Sequence, residues 1–207
     1  MNTSLWGPPA WRVLHGLAAA APDDVPTWRR VVVALRACLP CIYCRQSFAL
    51  ISQPLPRGHV AAWWWHVHEL VNIKLEKPSL PFAELRRRTR RPCAVFAPED
   101  AWLLLGAMAC NTDNATSVRD HDAKRAAVCQ LIAALAVLVR QAAAAAQCAD
   151  AAPWLRDLAL QLSRVCARWR AGATRGTLLR ALIHARELTG RGADVFERRV
   201  KAMCVAP

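Results

Sequence analysis

Residues 58–78 read GHVAAWWWHVHELVNIKLEKP, and the spacing of the apolar side chains predicts a helix. Val60, Trp64, Val67, His68, Val71 and Leu75 recur at three- and four-residue steps between Gly58 and Pro78, with Trp64, His68, Val71, Asn72 and Leu75 along one stripe. The chain before it repeats this grammar. Pro8 and Pro9 stand where a helix begins, and Trp11, Leu14, His15 and Ala18 follow at helical steps until Pro22. Thr27 suits an N-cap for a second helix through Val31, Leu35 and Cys38, which Pro40 interrupts. A third starts at the Pro40–Cys41 step and runs through Cys44, Phe48 and Ile51 until Pro54 and Pro56. Four helices joined by short proline-marked links predict a compact bundle.

Composition extends this to the whole chain. Its 207 residues hold 40 alanines, 55% hydrophobic residues, 8 glycines and 1 tyrosine, which favours helix and argues against a sheet-rich sandwich or barrel. Residues 79–97 carry Pro81, then Arg86, Arg87, Arg88, Arg90 and Arg91, then Pro92, and read as a linker or exposed edge. Beyond them Glu99–Ala109, Asp120–Cys148, Pro153–Arg170, Thr174–Thr189 and Ala193–Met203 read as helices. The expectation is an all-α protein: a four-helix bundle over 1–92 and a second helical domain over 93–207. Residues 10–18 line up with 101–109, and 66–70 with 184–188, so the second half reads as a degenerate copy of the first. Chance likeness between alanine- and leucine-rich helices is the competing explanation.

The net charge is +13, and 24 of the 28 cations are arginine. An acidic or phosphate-bearing partner follows: nucleic acid, contacted through Arg86 to Arg91, or a bound dinucleotide. A solvated linker explains the same arginine run more simply. Asn2 to Leu14 lacks the basic start and apolar run of a secretory signal, so a cytosolic or nuclear protein is expected. The longest apolar stretch, Ala126 to Val139, is closed by Arg125 and Arg140 and falls short of the ~20 residues that span a bilayer, so it reads as a buried helix. Nine cysteines in such a chain point to metal binding or redox chemistry.

Cys41-Ile42-Tyr43-Cys44 sets two thiols one turn apart at a helix start, where free amides and the helix dipole lower a thiol's pKa. That suits a dithiol that opens and closes. Cys38 makes a second, overlapping C-x-x-C, so a zinc knuckle using Cys38, Cys41 and Cys44 stays open, although no second ligand pair lies at the right spacing nearby. Trp11 and His15 form an i, i+4 pair like Trp64 and His68. Such rings facing a bundle interior can sandwich a flat heteroaromatic, with Asn72, Lys74 and Lys77 reaching its polar edges and phosphates.

Three motifs together resemble the FAD-dependent sulfhydryl oxidases of the Erv/ALR type. Trp6-Gly7-Pro8-Pro9-Ala10-Trp11-Arg12-Val13-Leu14-His15 is similar to W-G-P-x-x-W-x-x-L-H, and Pro40-Cys41-Ile42-Tyr43-Cys44 with Phe48 to P-C-x-x-C-x-x-x-F. His68-Glu69-Leu70-Val71-Asn72-Ile73-Lys74-Leu75-Glu76-Lys77-Pro78 is similar to H-N-x-V-N-x-x-L-x-K-P. The W-G-P form looks most like members encoded by large DNA viruses, for which host cytoplasm or virion is the expected location. The resemblance implies a helical bundle holding FAD, often as a homodimer, that oxidises protein thiols and passes the electrons to molecular oxygen, giving hydrogen peroxide. It makes Cys44 the flavin-proximal sulfur and Cys41 the outer one that exchanges with incoming thiols. It places Trp6, Gly7, Trp11, His15, Trp63, His68, Val71, Asn72, Lys74 and Lys77 on or beside cofactor-contacting positions. Relatives often carry a shuttle cysteine pair; here Cys38 or Cys93 is the candidate, while Cys110, Cys129, Cys148, Cys166 and Cys204 read as small core residues.

Three departures stand out. Glu69 replaces an asparagine and Glu76 a glycine, both bringing negative charge near the expected phosphates, and Trp65 stands where some members have a structural cysteine.

Overall fold

The computed structural model describes residues 3–90, 97–113, 117–146, 151–170 and 198, and the regular structure among them is helical throughout. In chain order the elements are α1 (Thr3–Ala20), α2 (Val25–Cys38), α3 (Ile42–Ile51), α4 (Val60–Lys74), α5 (Phe82–Arg88), α6 (Pro98–Asp113), α7 (Val118–Ala145) and α8 (Ala151–Arg170). The all-α expectation and the first four helices stand. The predicted helices at Thr174–Thr189 and Ala193–Met203 lie outside the described residues, apart from Arg198.

Three local expectations change, the first being that Asp24, not Thr27, is the N-cap of α2, with Thr27 donating its amide to it from inside the helix. The first helix begins at Thr3, not at Pro8, and runs through both prolines. Burial of Trp6 and Pro9 anchors this extra stretch, which offsets the two amides the prolines remove. The stretch expected as a linker contains α5. There Glu84 accepts hydrogen bonds from Arg87 at 2.7 Å and Arg88 at 2.7 Å, the i+3 and i+4 neighbours that suit a helix, and Leu85 is buried beneath them.

The core is organised around Trp64, which is wholly buried. Its ring meets Trp28 of α2 edge-on at 5.7 Å, Phe48 of α3 at 6.2 Å and Trp11 of α1 at 6.2 Å, so one side chain of α4 touches the other three helices of the bundle. Trp28, equally buried, donates its indole N–H to the Ala21 carbonyl at 2.8 Å and so closes the link between α1 and α2.

The later helices build on the same core. α6 packs along α1, α7 along α2, and α8 along α7, and buried side chains run without a break from Trp6 to Cys166. Two polar ties fix this docking. Arg12 of α1 grips Asp100 of α6 at 2.6 Å, while Asp100 also accepts the Ala97 amide at 2.9 Å. Asp24 caps α2 through the Thr27 amide at 3.0 Å and accepts Gln141 of α7 at 2.8 Å. The echoing segments of α1 and α6 thus lie side by side; the other echo, 184–188, is outside the described residues. α7 outruns the apolar stretch read from the sequence: at 28 residues it is long and apolar enough to cross a membrane, yet more than half of that window is buried inside the protein.

The end of α4 sets one side of the site described below. The Lys77 amide donates to the Asn72 carbonyl at 2.9 Å and the Glu76 amide to Ile73 at 3.2 Å, the paired bonds of a Schellman stop. Such a stop needs a left-handed residue, and Glu76 supplies it at φ 53, a conformation that strains any side chain and suits glycine. Glu76→Gly is therefore expected to raise the unfolding free energy by about 1 kcal/mol, seen as a higher urea midpoint, whereas Glu76→Ala gives no gain. A lower midpoint for the glycine variant would contradict the strain.

Candidate active site

Cys41 is itself the N-cap of α3. Pro40 keeps the chain extended, Cys41 sits at φ −96 and ψ 129, and its sulfur accepts the Cys44 amide at 3.3 Å. Partial burial alone would raise the Cys41 pKa, but hydrogen bonds from the Cys44 thiol and from the Cys44 and Tyr43 amides outweigh it and bring it below the usual thiol value. Cys44 shifts the other way, to about 12, through burial first, then its thiol's hydrogen bond to Cys41 and the neighbouring negative charge. The pair is therefore asymmetric: Cys41 is the more readily ionised of the two sulfurs, and Cys44 keeps its proton.

The inner sulfur faces a cavity of about 710 Å³ between α1, α3 and α4. Its wall contains Trp6, Gly7, Trp11, His15, Cys44, His68, Val71, Asn72, Lys74 and Lys77, so the structure brings these expected residues together. Cys41 lies off the wall. Trp63 also lies off it: its indole donates to the Pro54 carbonyl at 3.0 Å and its ring packs edge-on against Trp64. Cys38 is wholly buried, and burial raises its thiol to about 12, which keeps it from exchanging with thiols in solution. Cys93, Cys148 and Cys204 lie outside the described residues, as does the side chain of Cys110; Cys166 is buried and Cys129 half-buried. Among the described residues no cluster of three His, Cys, Asp or Glu could hold a metal, so Cys38 does not join Cys41 and Cys44 in a zinc knuckle.

Trp11 and His68 stack face to face at 4.0 Å, and His68 Nδ1 lies 2.8 Å from His15 Nε2. One ring of that pair donates and the other accepts, which requires at least one neutral imidazole. Burial first, then the charge of His68, lowers His15 to about 3; burial, with Lys77 adding and Glu69 opposing, lowers His68 to about 4. Both are neutral at pH 7.

Cations line the polar side. Lys74 donates to the Ser47 hydroxyl, and Lys77, Arg12 and Arg88 complete the set. The expectation that Glu69 charges this region changes: its carboxylate lies off the wall, bonded to the Ser79 hydroxyl, the Leu80 amide at 3.2 Å and Asn72 Nδ2 at 3.1 Å. Burial would raise its pKa, but these bonds hold it below the ordinary value. Arg87 and Arg88 are matched by Glu84, which leaves less of the arginine run for nucleic acid, and Arg91 lies outside the described residues.

Sequence reasoning missed Arg12, Tyr43 and Arg88 as wall residues. Arg12 and Tyr43 fall inside the quoted motifs, but Arg88 gave no signal beyond its charge.

These residues fit FAD. The buried Trp6 Nε1–H has no partner among the described residues, a Cβ on Gly7 would meet nothing within 4 Å, and flat rings and cations share the wall with a thiol. The volume lies in the ligand-pocket range.

Two measurements check this geometry. In the reduced protein at pH 7.5, iodoacetamide should modify Cys41 well before Cys44, read by peptide mass spectrometry; the reverse order would refute the assigned asymmetry. Because both histidines titrate lower in the folded chain than the ordinary 6.5, the unfolded chain binds more protons below that pH, and stability should fall on acidification from about 6.5 towards 3. His15 alone contributes up to about 1.4 kcal/mol per pH unit. Urea midpoints at pH 7 and pH 5 should differ less in His15→Gln than in wild type; equal differences would show that the pair does not carry the effect.

No curated protein and no solved structure matches the chain. Residues 8–90, which contain the C-x-x-C and nearly all of the cavity wall, match the sequence model of the Erv1 / Alr family.

Proposed function

We propose that the protein is an FAD-linked sulfhydryl oxidase that forms disulfides in protein thiols, with molecular oxygen as final acceptor and hydrogen peroxide as product. The observation that carries this reading is the asymmetry of the sulfurs: Cys44 lies on the wall of a cavity suited to FAD, and Cys41 lies outside it with a lowered pKa. Residues 1–92 form the reacting part, and residues 93–207 a helical domain for dimerisation or substrate docking, of which α6, α7 and α8 pack on one another and on α1 and α2. The viral subgroup and a homodimer rest on the resemblance of the motifs.

In the oxidised form a client thiolate attacks Cys41 Sγ, forming a mixed disulfide and releasing the Cys44 sulfur, which takes up the proton of the client's second thiol. The client's second thiolate then attacks its own sulfur in that bond, leaving as a disulfide and releasing Cys41 as a thiolate. The Cys44 amide and the start of α3 stabilise that thiolate. Cys44, held against the cavity, keeps the reduced pair within reach of it. Trp11, His15 and His68 would hold the flat part of FAD, with Trp6 donating its free N–H. Lys74, Lys77 and Arg12 would meet the phosphates, and Asn72, whose amide nitrogen is held by Glu69, a polar edge. Bound FAD supplies two-electron acceptance and reaction with oxygen.

Oxygen uptake with dithiothreitol tests this. Wild type, purified yellow, should consume oxygen, and Cys41→Ser and Cys44→Ser should each lose ~100-fold or more, since either change removes the exchanging pair. Equal uptake by wild type and Cys44→Ser would overturn the reading.

A further inference from the structure

The described surface next to the C-x-x-C is unusual in two ways. Ile42 (55% exposed), Tyr43 (75%), Leu50 (77%), Ile73 (70%) and Leu75 (52%) are the large apolar side chains of α3 and of the end of α4 that face solvent. Tyr43 and Leu50 are seven residues apart on one stripe of α3, and Ser47 between them accepts a hydrogen bond from Lys74, the residue flanked by Ile73 and Leu75. That bond ties the end of α4 to α3, so the two exposed sets lie on neighbouring helices, with Cys41 at the head of one of them. Grouped apolar exposure of this kind marks a contact surface.

The second feature is charge. Residues 36–80 hold Arg36, Arg45, Arg57, Lys74 and Lys77 but only two carboxylates, and one of these, Glu69, is buried in its own hydrogen bonds. Two of the cations stand close to the pair: Arg45 is held by the Leu39 carbonyl at 2.6 Å, two residues before Cys41, and Lys74 shares the cavity wall with Cys44. Glu76 is the single exposed carboxylate of this stretch.

We infer that the strip from Tyr43 and Leu50 to Ile73 and Leu75 is the client-docking surface, and that it selects thiol-bearing segments that are apolar and acidic. This rests on the oxidase reading and names its substrate class. An acidic, apolar chain gains on both counts: its side chains cover the exposed strip, and its carboxylates meet Arg45, the cation beside Cys41 that lies off the cavity wall, with Glu76 the one exposed like charge of the stretch. A basic chain of the same hydropathy is repelled as it approaches Cys41.

The test uses fluorescent peptides with the same leucine- and phenylalanine-containing core, flanked by Asp and Glu or by Lys and Arg, and with serine in place of cysteine so that only binding is read. The full-length protein should bind the acidic peptide about five-fold or more tighter than the basic one, the effect of one or two exposed charge pairs. That ratio should shrink between about 50 mM and 500 mM salt. Leu50→Ser and Ile73→Ser, both off the cavity wall, should weaken the acidic peptide several-fold while dithiothreitol oxidation stays at the wild-type rate. Equal affinity for the two peptides would overturn the inference, as would strip variants that bind like wild type. Peptide binding that disappears as a dimer forms in sedimentation would overturn it too, because a second copy would then cover the strip. Failure to oxidise dithiothreitol would instead strike the oxidase reading and leave the binding result to be judged separately.

Discussion

The site depends on the packing of Trp64. Its wholly buried ring contacts Trp11, Trp28 and Phe48, one from each of the other helices of the bundle. Phe48 belongs to the helix that Cys41 caps, and Trp11 stacks on His68, so this one side chain couples the sulfurs to the aromatic wall. A large ring that touches three partners transmits misplacement to all of them, because protein cores are packed like crystals and shift little. The tilt of α3 against α1, and with it the approach of Cys44 to the cavity, follows from this contact.

Around that hub, the polar chemistry is arranged by shielding. Burial holds His15 and His68 neutral beside a set of cations, so the cavity takes its positive charge from Lys74 and Lys77, with Arg12 and Arg88 paired to Asp100 and Glu84, and none from its imidazoles. At the sulfurs the same balance runs in opposite directions. Amide donors win over partial burial at Cys41, and burial wins at Cys44. The two cysteines differ by three residues and by opposite positions relative to the start of one helix.

The two glutamates that depart from the Erv/ALR pattern turn out to have different physical consequences. Glu69 does not oppose an anion in the cavity. It is satisfied by Ser79, Leu80 and Asn72, and so fastens the 79–80 segment to α4 while fixing the amide nitrogen of a wall residue. Glu76 leaves α4's stop intact at the cost of a left-handed backbone that glycine would adopt freely. Arg12 shows a third kind of dual use: it lines the cavity and also ties α1 to α6 through Asp100.

Much of this was legible beforehand because it is local. Helical period, proline punctuation and the placing of two thiols on one turn depend on neighbours along the chain, so the sequence by itself determined the all-α class, the first four helices and the position of Cys41 and Cys44 at one helix start. Matters that turn on rotation and on distant partners were not legible. Trp63, Trp64 and Trp65 are equivalent by composition, but successive helical positions point about 100° apart; packing sends Trp64 into the core, Trp63 to the Pro54 carbonyl and Trp65 to the Leu80 carbonyl at 2.6 Å. The arginine run hid α5 because proline and charge suggest a linker, whereas Glu84 and the buried Leu85 stabilise a helix there. Tertiary structure alone decided which wall residues meet, where Glu69 turns and that Cys38 is sealed in the core, since each outcome depends on contacts between segments far apart in the chain.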